Sequence, residues 1–367
     1  MRDRRILLAG VVLVAVAVRI PGLGGALSDD EGYSWLVASA PDAGAFLHRL
    51  AAYENTPPLF YLLLTPFPLN DEVWLRLPAL IAGIASVPVL YAIVRPLFGT
   101  RAALVSALAL AVAPYHVSFS DHARGFVLAG LWLLLAVWAA ARLAQGGRRR
   151  WWWLYAGGAV LALYTEYDSA LFLAALLGAV LLVGVPRRRE TLALGLAPAL
   201  AFAPWLHQLH RSLNALDETK VSPIYPEPGP RALRDVVVPL SFGEHGAAHS
   251  PALRWLQLLA VAAVLAGAAA LMWRSGPRAA FWLLPGAGLA TLALHAAIAV
   301  PGPDIFAQRY LTILIPLGAA VVGAGIAALP WRSAARSPPR CSPCSASRSS
   351  SSARGASSSR TCAGSSR

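Results

Sequence analysis

The sequence predicts an all-α polytopic membrane protein of about ten transmembrane helices with a long amphipathic first outer loop. Hydrophobic residues fill 57% of its 367 positions and charged residues only 13%, well below the roughly 25% charged share of a soluble domain. Apolar stretches long enough to cross a hydrocarbon core of about 30 Å recur along the chain. Arginines concentrate in alternate connections. The short alternating segments of a transmembrane β-barrel are not found.

Taken in order, the apolar stretches place spans at about 6–23, 73–94, 102–120, 123–143, 151–165, 168–186, 191–206, 254–273, 279–299 and 308–330. The first follows a basic start, Met1-Arg2-Asp3-Arg4-Arg5. No small-residue cleavage site follows it, so it reads as a retained span rather than a signal peptide. Residues 24–72 form the first outer loop, with amphipathic stretches at 33–39 and 44–53. The loop continues into Asn55-Thr56-Pro57-Pro58-Leu59-Phe60-Tyr61-Leu62-Leu63-Leu64, too short to span and suited to an interfacial or re-entrant position. A second outer loop, 207–253, is polar and carries Pro223, Pro226, Pro228 and Pro230. The spans and these loops make a membrane domain of residues 1–332.

Residues 333–367 are rich in Ser and Arg and cannot bury enough apolar surface to fold, which predicts a disordered cytoplasmic tail. All three cysteines, Cys341, Cys344 and Cys362, lie in it, and no nearby histidine or second pair completes a metal site.

The net charge of +13 does not indicate nucleic acid, because its distribution follows the predicted topology. With a cytoplasmic N-terminus, the inner segments hold 14 basic residues against two acidic ones, Asp3 and Glu190. The outer segments, tail excluded, hold ten basic and 16 acidic residues. Arg-rich short loops remain cytoplasmic, so both termini are expected there, in a multi-pass protein of the plasma (inner) membrane. The acidic cluster Asp29-Asp30-Glu31 then falls just beyond the first span on the extracytoplasmic side. Ionisable residues at a membrane boundary are expensive and mark functional sites. Gly22-Leu23-Gly24-Gly25 is a turn rather than a phosphate loop, since no Lys-Ser/Thr follows.

Several segments resemble the GT-C membrane glycosyltransferases of glycosyltransferase family 39, the protein-mannosyltransferase and aminoarabinose-transferase-like group. They are Asp30-Glu31-Gly32-Tyr33-Ser34, Thr56-Pro57-Pro58-Leu59-Phe60-Tyr61-Leu62-Leu63, Leu75-Arg76-Leu77-Pro78-Ala79-Leu80 and the stretch Pro114-Tyr115-His116-Val117-Ser118-Phe119-Ser120-Asp121-His122-Ala123-Arg124-Gly125-Phe126. Weaker matches are Tyr164-Thr165-Glu166-Tyr167 and Gln308-Arg309-Tyr310-Leu311. Their shared order and common side carry the resemblance, which covers residues 6–185 closely and 186–330 loosely.

The resemblance implies an inverting transferase that moves mannose or a related sugar from a polyprenyl-phosphate carrier. The acceptor, a lipid, glycan or protein, would lie on the extracytoplasmic face, with membrane lipid the other partner and no nucleic acid. It places Asp30 as base, with Glu31 beside it in the catalytic pair. Asp29, Asp121, His122, Arg124, Glu166 and Arg309 become substrate-binding candidates, Arg309 for the lipid phosphate. Arg suits that task because its planar fork donates two parallel hydrogen bonds. Lys220, Arg211, Arg231 and Arg234 are further phosphate candidates. Asp121 and Arg124 are three residues apart and would share a face on a helix. Hard carboxylate ligands, Asp30 and Asp121, would admit a divalent cation such as Mg or Mn. The readings set against this one are a non-catalytic membrane scaffold or subunit and a secondary transporter. A transporter should show internal repeats and charges near the midplane, whereas here the charges gather at the boundary.

Overall fold

The computed structural model describes residues 2–54, 56–184, 188–218, 229–243, 245–299 and 308–329. The tail over 333–367 with its three cysteines, and Asn55, Lys220, Pro223, Pro226 and Pro228, lie outside the described residues.

The described chain is helical throughout, with no strand among the described residues. In order the helices are α1 (Arg2–Ala17), α2 (Asp29–Ala38), α3 (Ala43–Tyr53), α4 (Leu59–Leu64), α5 (Glu72–Ala111), α6 (Pro114–Ser120), α7 (Phe126–Ala144) and α8 (Arg150–Thr165). They continue with α9 (Ser169–Val183), α10 (Arg188–Phe202), α11 (Leu206–Glu218), α12 (Pro230–Phe242), α13 (Pro251–Ser275), α14 (Arg278–Phe281), α15 (Ala287–Ala299) and α16 (Leu314–Ala328). Five helical stretches are long and apolar enough to cross a membrane: Asp3–Gly22, Glu72–Ala111, Phe126–Ala144, Pro251–Ser275 and Arg278–Ala299. Shorter apolar helices, Ser169–Val183 and Leu314–Ala328, accompany them. This is an integral, polytopic membrane protein. Its lipid-facing surfaces are visible in Ile6, Leu7 and Leu13 of α1 and Leu256 and Leu259 of α13, all exposed.

α5 carries two of the expected spans. A straight helix of its 40 residues would measure about 60 Å. Yet Arg76 near its start bonds the carbonyls of Gly22 and Leu23, while the carbonyl of Ala111 at its end accepts from Arg19. Both ends therefore meet the same short stretch, and the helix folds back on itself. The reversal is at Gly99, whose φ of 85° and ψ of 177° only glycine adopts readily. The expected span over 102–120 is interrupted. Pro114 disfavours helical backbone in the residue before it, so α5 stops at Ala111 and the short α6 begins afresh.

Small residues bring the helices together. Gly323 of α16 lies against Ser106 of α5, and Gly325 lies against Ala268 of α13, the close approach by which membrane helices associate without a hydrophobic driving force. The first loop is ordered by its own core, in which Val37, Phe46, Leu50, Phe60 and Leu64 pack on Leu75, Ala79 and Ala82 of α5. The second loop, read from its sequence as polar and rich in proline, contributes the amphipathic α11 and α12.

Candidate functional site

The acidic cluster starts α2. Ser28 caps the helix, its hydroxyl accepting from the Glu31 amide while the Glu31 carboxylate accepts from the Ser28 amide. Carboxylates in a first turn are favoured by the helix dipole, so Asp29, Asp30 and Glu31 suit the helix as well as any chemistry. Their environments then diverge.

Glu31 is buried and fully engaged. Its carboxylate takes two hydrogen bonds from Arg76, at 2.7 and 2.9 Å, and one from the Ala123 amide at 2.9 Å. Burial by itself would raise its pKa, but Arg76, Ser28 and Ala123 together hold it down at about 2. Arg76 also donates to the carbonyls of Gly22, Leu23, Gly25 and Ala26. The pair therefore ties the chain after α1, the start of α2, α5 and the connection before α7 into one unit. The expectation that Glu31 shares the chemistry meets an anchor: no lone pair of its carboxylate is left for a substrate.

Asp30 points the other way. Its side chain is 52% exposed, and Oδ2 stands 3.6 Å from Nη1 of Arg309. Arg124 donates to the Asp30 carbonyl at 3.3 Å, which fixes the backbone beneath it. Asp29 is exposed beside it.

Asp121 and Arg124 are not on one helix face. Residues 121–125 form bends rather than a helix, so three-residue spacing does not align them. Asp121 contacts His122 at 3.2 Å and approaches the backbone of Gly22 so closely that a Cβ there would sit 1.6 Å from its carboxylate. Both residues line a groove with Ser28, Glu31, Arg76 and His245. The Asp121 carboxylate raises the pKa of His122 through that hydrogen bond. Arg124 faces elsewhere, forming a buried ion pair with Glu54. Arg234 is held by Asp235 and stacks on Trp255, 5.2 Å from the ring centre, while Arg211 and Arg231 are exposed.

Glu54 was not legible as a site residue. It ends α3 as an ordinary polar cap, and only the folded loop brings it onto Arg124 beside the Thr56–Tyr61 hydroxyl pair. Glu166 ends α8 and is buried close to Gly125, where an added Cβ would come within 2.8 Å of its carboxylate. Burial pushes its pKa up to about 8, with Arg124 pulling against the rise. Glu166, Asp168, Ser169, His295 and Arg309 line a narrow cleft between α7, α9 and α15.

A divalent cation finds a poor donor set. Among the described residues no three of His, Cys, Asp and Glu converge on a common point. Asp121 lines a groove that Asp30 does not, and Asp30 already faces a guanidinium. The residues present do not fit the metal that the two aspartates suggested.

This helical arrangement has the GT-C fold of membrane glycosyltransferases. Residues 27–207 match the family described as dolichyl-phosphate-mannose-protein mannosyltransferase, a stretch that includes Asp30, Glu54, Asp121, Arg124 and Glu166 but stops short of Arg309. The crystal structure of ArnT from Cupriavidus metallidurans bound to undecaprenyl phosphate is similar, with a TM-score of 0.58 at 17% identity, over 88% of this chain and 59% of that one. The oligosaccharyltransferase of Archaeoglobus fulgidus tethered to an acceptor peptide gives 0.52 at 16% identity, over 87% and 49%. The chain thus spans about half to three fifths of the length of these structures. No curated protein matches the sequence.

Proposed function

We propose that the protein is an inverting glycosyltransferase that moves a sugar, mannose or a related one, from a polyprenyl-phosphate carrier to an acceptor on the extracytoplasmic face. The observation that carries this reading is the pairing of a half-exposed carboxylate, Asp30, with Arg309 at 3.6 Å, while the adjacent Glu31 is withdrawn into an anchoring ion pair. The family match and the fold support it.

The chemistry follows from the two groups. Asp30 takes the proton of the acceptor's nucleophilic group as that group attacks the anomeric carbon. The bond from that carbon to the phosphate oxygen breaks, its electron pair leaving on the polyprenyl phosphate. Arg309 balances the charge that develops there. The new bond forms on the opposite face of the sugar, so the configuration inverts. Arg124 and Glu54 position the loop that carries Asp30 and do not enter the step. Arg309→Gln tests the phosphate role with radiolabelled polyprenyl-phosphate-mannose. A charged hydrogen bond contributes about 1.5–3 kcal/mol, so KM for the donor should rise roughly ten- to a hundredfold. An unchanged KM would remove Arg309 from the site.

A further inference from the structure

The cleft beside Arg309 holds polar groups that the proposed reaction does not use. His295, on α15, is 1% exposed, and its Nδ1 lies 2.9 Å from the carbonyl of Thr291. A carbonyl only accepts, so the proton is on Nδ1, and Nε2 presents a lone pair in the neutral ring. That Nε2 stands 3.6 Å from Oδ1 of Asp168, beyond hydrogen-bond range. The hydroxyl of Ser169, 3% exposed, also faces the cleft. Neither His295 Nε2 nor Ser169 Oγ has a hydrogen-bond partner among the described residues. Buried polar groups are nearly always satisfied by protein, water or ligand, so two orphans and a carboxylate around one space mark a place that a hydrogen-bonding group from outside the chain fits.

The chemistry of that group follows from the wall. With the ring neutral, Nε2 only accepts, as the Asp168 carboxylate does, and Ser169 accepts or donates, so the ligand must bring a donor. The cleft has room for about one group the size of a water molecule or a single hydroxyl. In this cleft Asp168 balances Arg309, and Glu166, its pKa raised to about 8, is mostly neutral at pH 7, so an ammonium group would bring an uncompensated charge. A neutral hydroxyl meets all three conditions: it donates to Asp168 or His295 and accepts from Ser169.

We propose that His295, Asp168 and Ser169 seat one hydroxyl of the sugar carried by the polyprenyl phosphate, and that this contact selects a neutral sugar as donor. The inference rests on the transferase reading and deepens it. Arg309 joins the two places, reaching toward Asp30 on one side and lining the cleft on the other. Phosphate and sugar of one donor would thereby be held by adjacent groups, and these three residues act as specificity determinants rather than as acids or bases.

The test is binding to the full-length protein in nanodiscs, without turnover. The probes are bare undecaprenyl phosphate and undecaprenyl phosphate carrying mannose, glucose, galactose or 4-amino-4-deoxyarabinose. One neutral-sugar carrier should bind at least about tenfold more tightly than the bare carrier, the discrimination one well-placed group supplies. Ser169→Ala and His295→Phe should abolish that difference and leave bare-carrier affinity unchanged, with His295→Gln restoring part of it. Retained bare-carrier binding also shows that each variant is folded. The inference is overturned if the variants weaken bare and charged carriers equally, if neither variant changes the preference, if no sugar improves binding, or if only the amino sugar does. Failure of the wild type to bind even the bare carrier would instead overturn the transferase reading, and this inference with it.

Discussion

Asp30 and Glu31 are adjacent in sequence and chemically alike, yet one turn of helix gives them unrelated surroundings. Arg76 engages Glu31 through two parallel bonds, and removing one partner of such a pair leaves an uncompensated buried charge. Glu31→Gln should therefore destabilise the protein by about 3–5 kcal/mol, toward the lower end because the groove beside the pair admits water. Glu31→Leu combined with Arg76→Met should recover much of that loss, measured as thermal midpoints in one detergent. Equal damage in single and double variants would deny the pair its anchoring role. Glu166 gives a prediction of the opposite sign. Its pKa rises from 4.5 to about 8 on folding, so between those values the folded state binds more protons than the unfolded one. Stability from this group is full below pH 4.5 and is lost as pH rises toward 8. Glu166→Gln should flatten the fall seen in the wild type between about pH 5 and 8. His122 titrates nearby but is common to both proteins and cancels in the comparison. Parallel curves for the two proteins would contradict the assignment.

Among the elements, α5 shows best what the sequence could and could not disclose. Its two apolar stretches were evident as the expected spans 73–94 and 102–120, because hydrophobic length is a local property. Their fusion through Gly99 was not, since helical and reversing glycines look alike in sequence. Gly99→Ala places a Cβ at a φ of 85°, which costs about 1–3 kcal/mol. It should lower the thermal midpoint while leaving carrier binding intact at the far end of the hairpin. An unchanged midpoint would show that the reversal tolerates a side chain. The helical reading of 121–125 failed for a related reason. Asp121 and Arg124 have helical spacing, but the chain bends there, so the aspartate faces the Gly22 groove and the arginine faces Glu54. Spacing predicts a shared face only where the backbone supplies the helix.

At the scale of the whole molecule, composition disclosed an all-helical membrane protein, and the motif order disclosed its fold, because both depend on pattern rather than on contacts. The acidic cluster was visible for the same reason. Glu54 and His295 were not: one is a lone polar residue at a helix end and the other sits inside an apolar helix, and only the packing of α3 and α15 reveals their neighbours. Arg309 stands 279 positions from Asp30 in sequence, and the fold brings their side chains to 3.6 Å. The decisive measurement is transfer of radiolabelled sugar from polyprenyl-phosphate-mannose and related donors by the purified protein in lipid, wild type against Asp30→Asn. A base that takes the acceptor's proton contributes about 10²–10⁴-fold. A loss of that order is expected in the variant, with donor binding unchanged. Turnover equal in the two proteins would contradict that expectation.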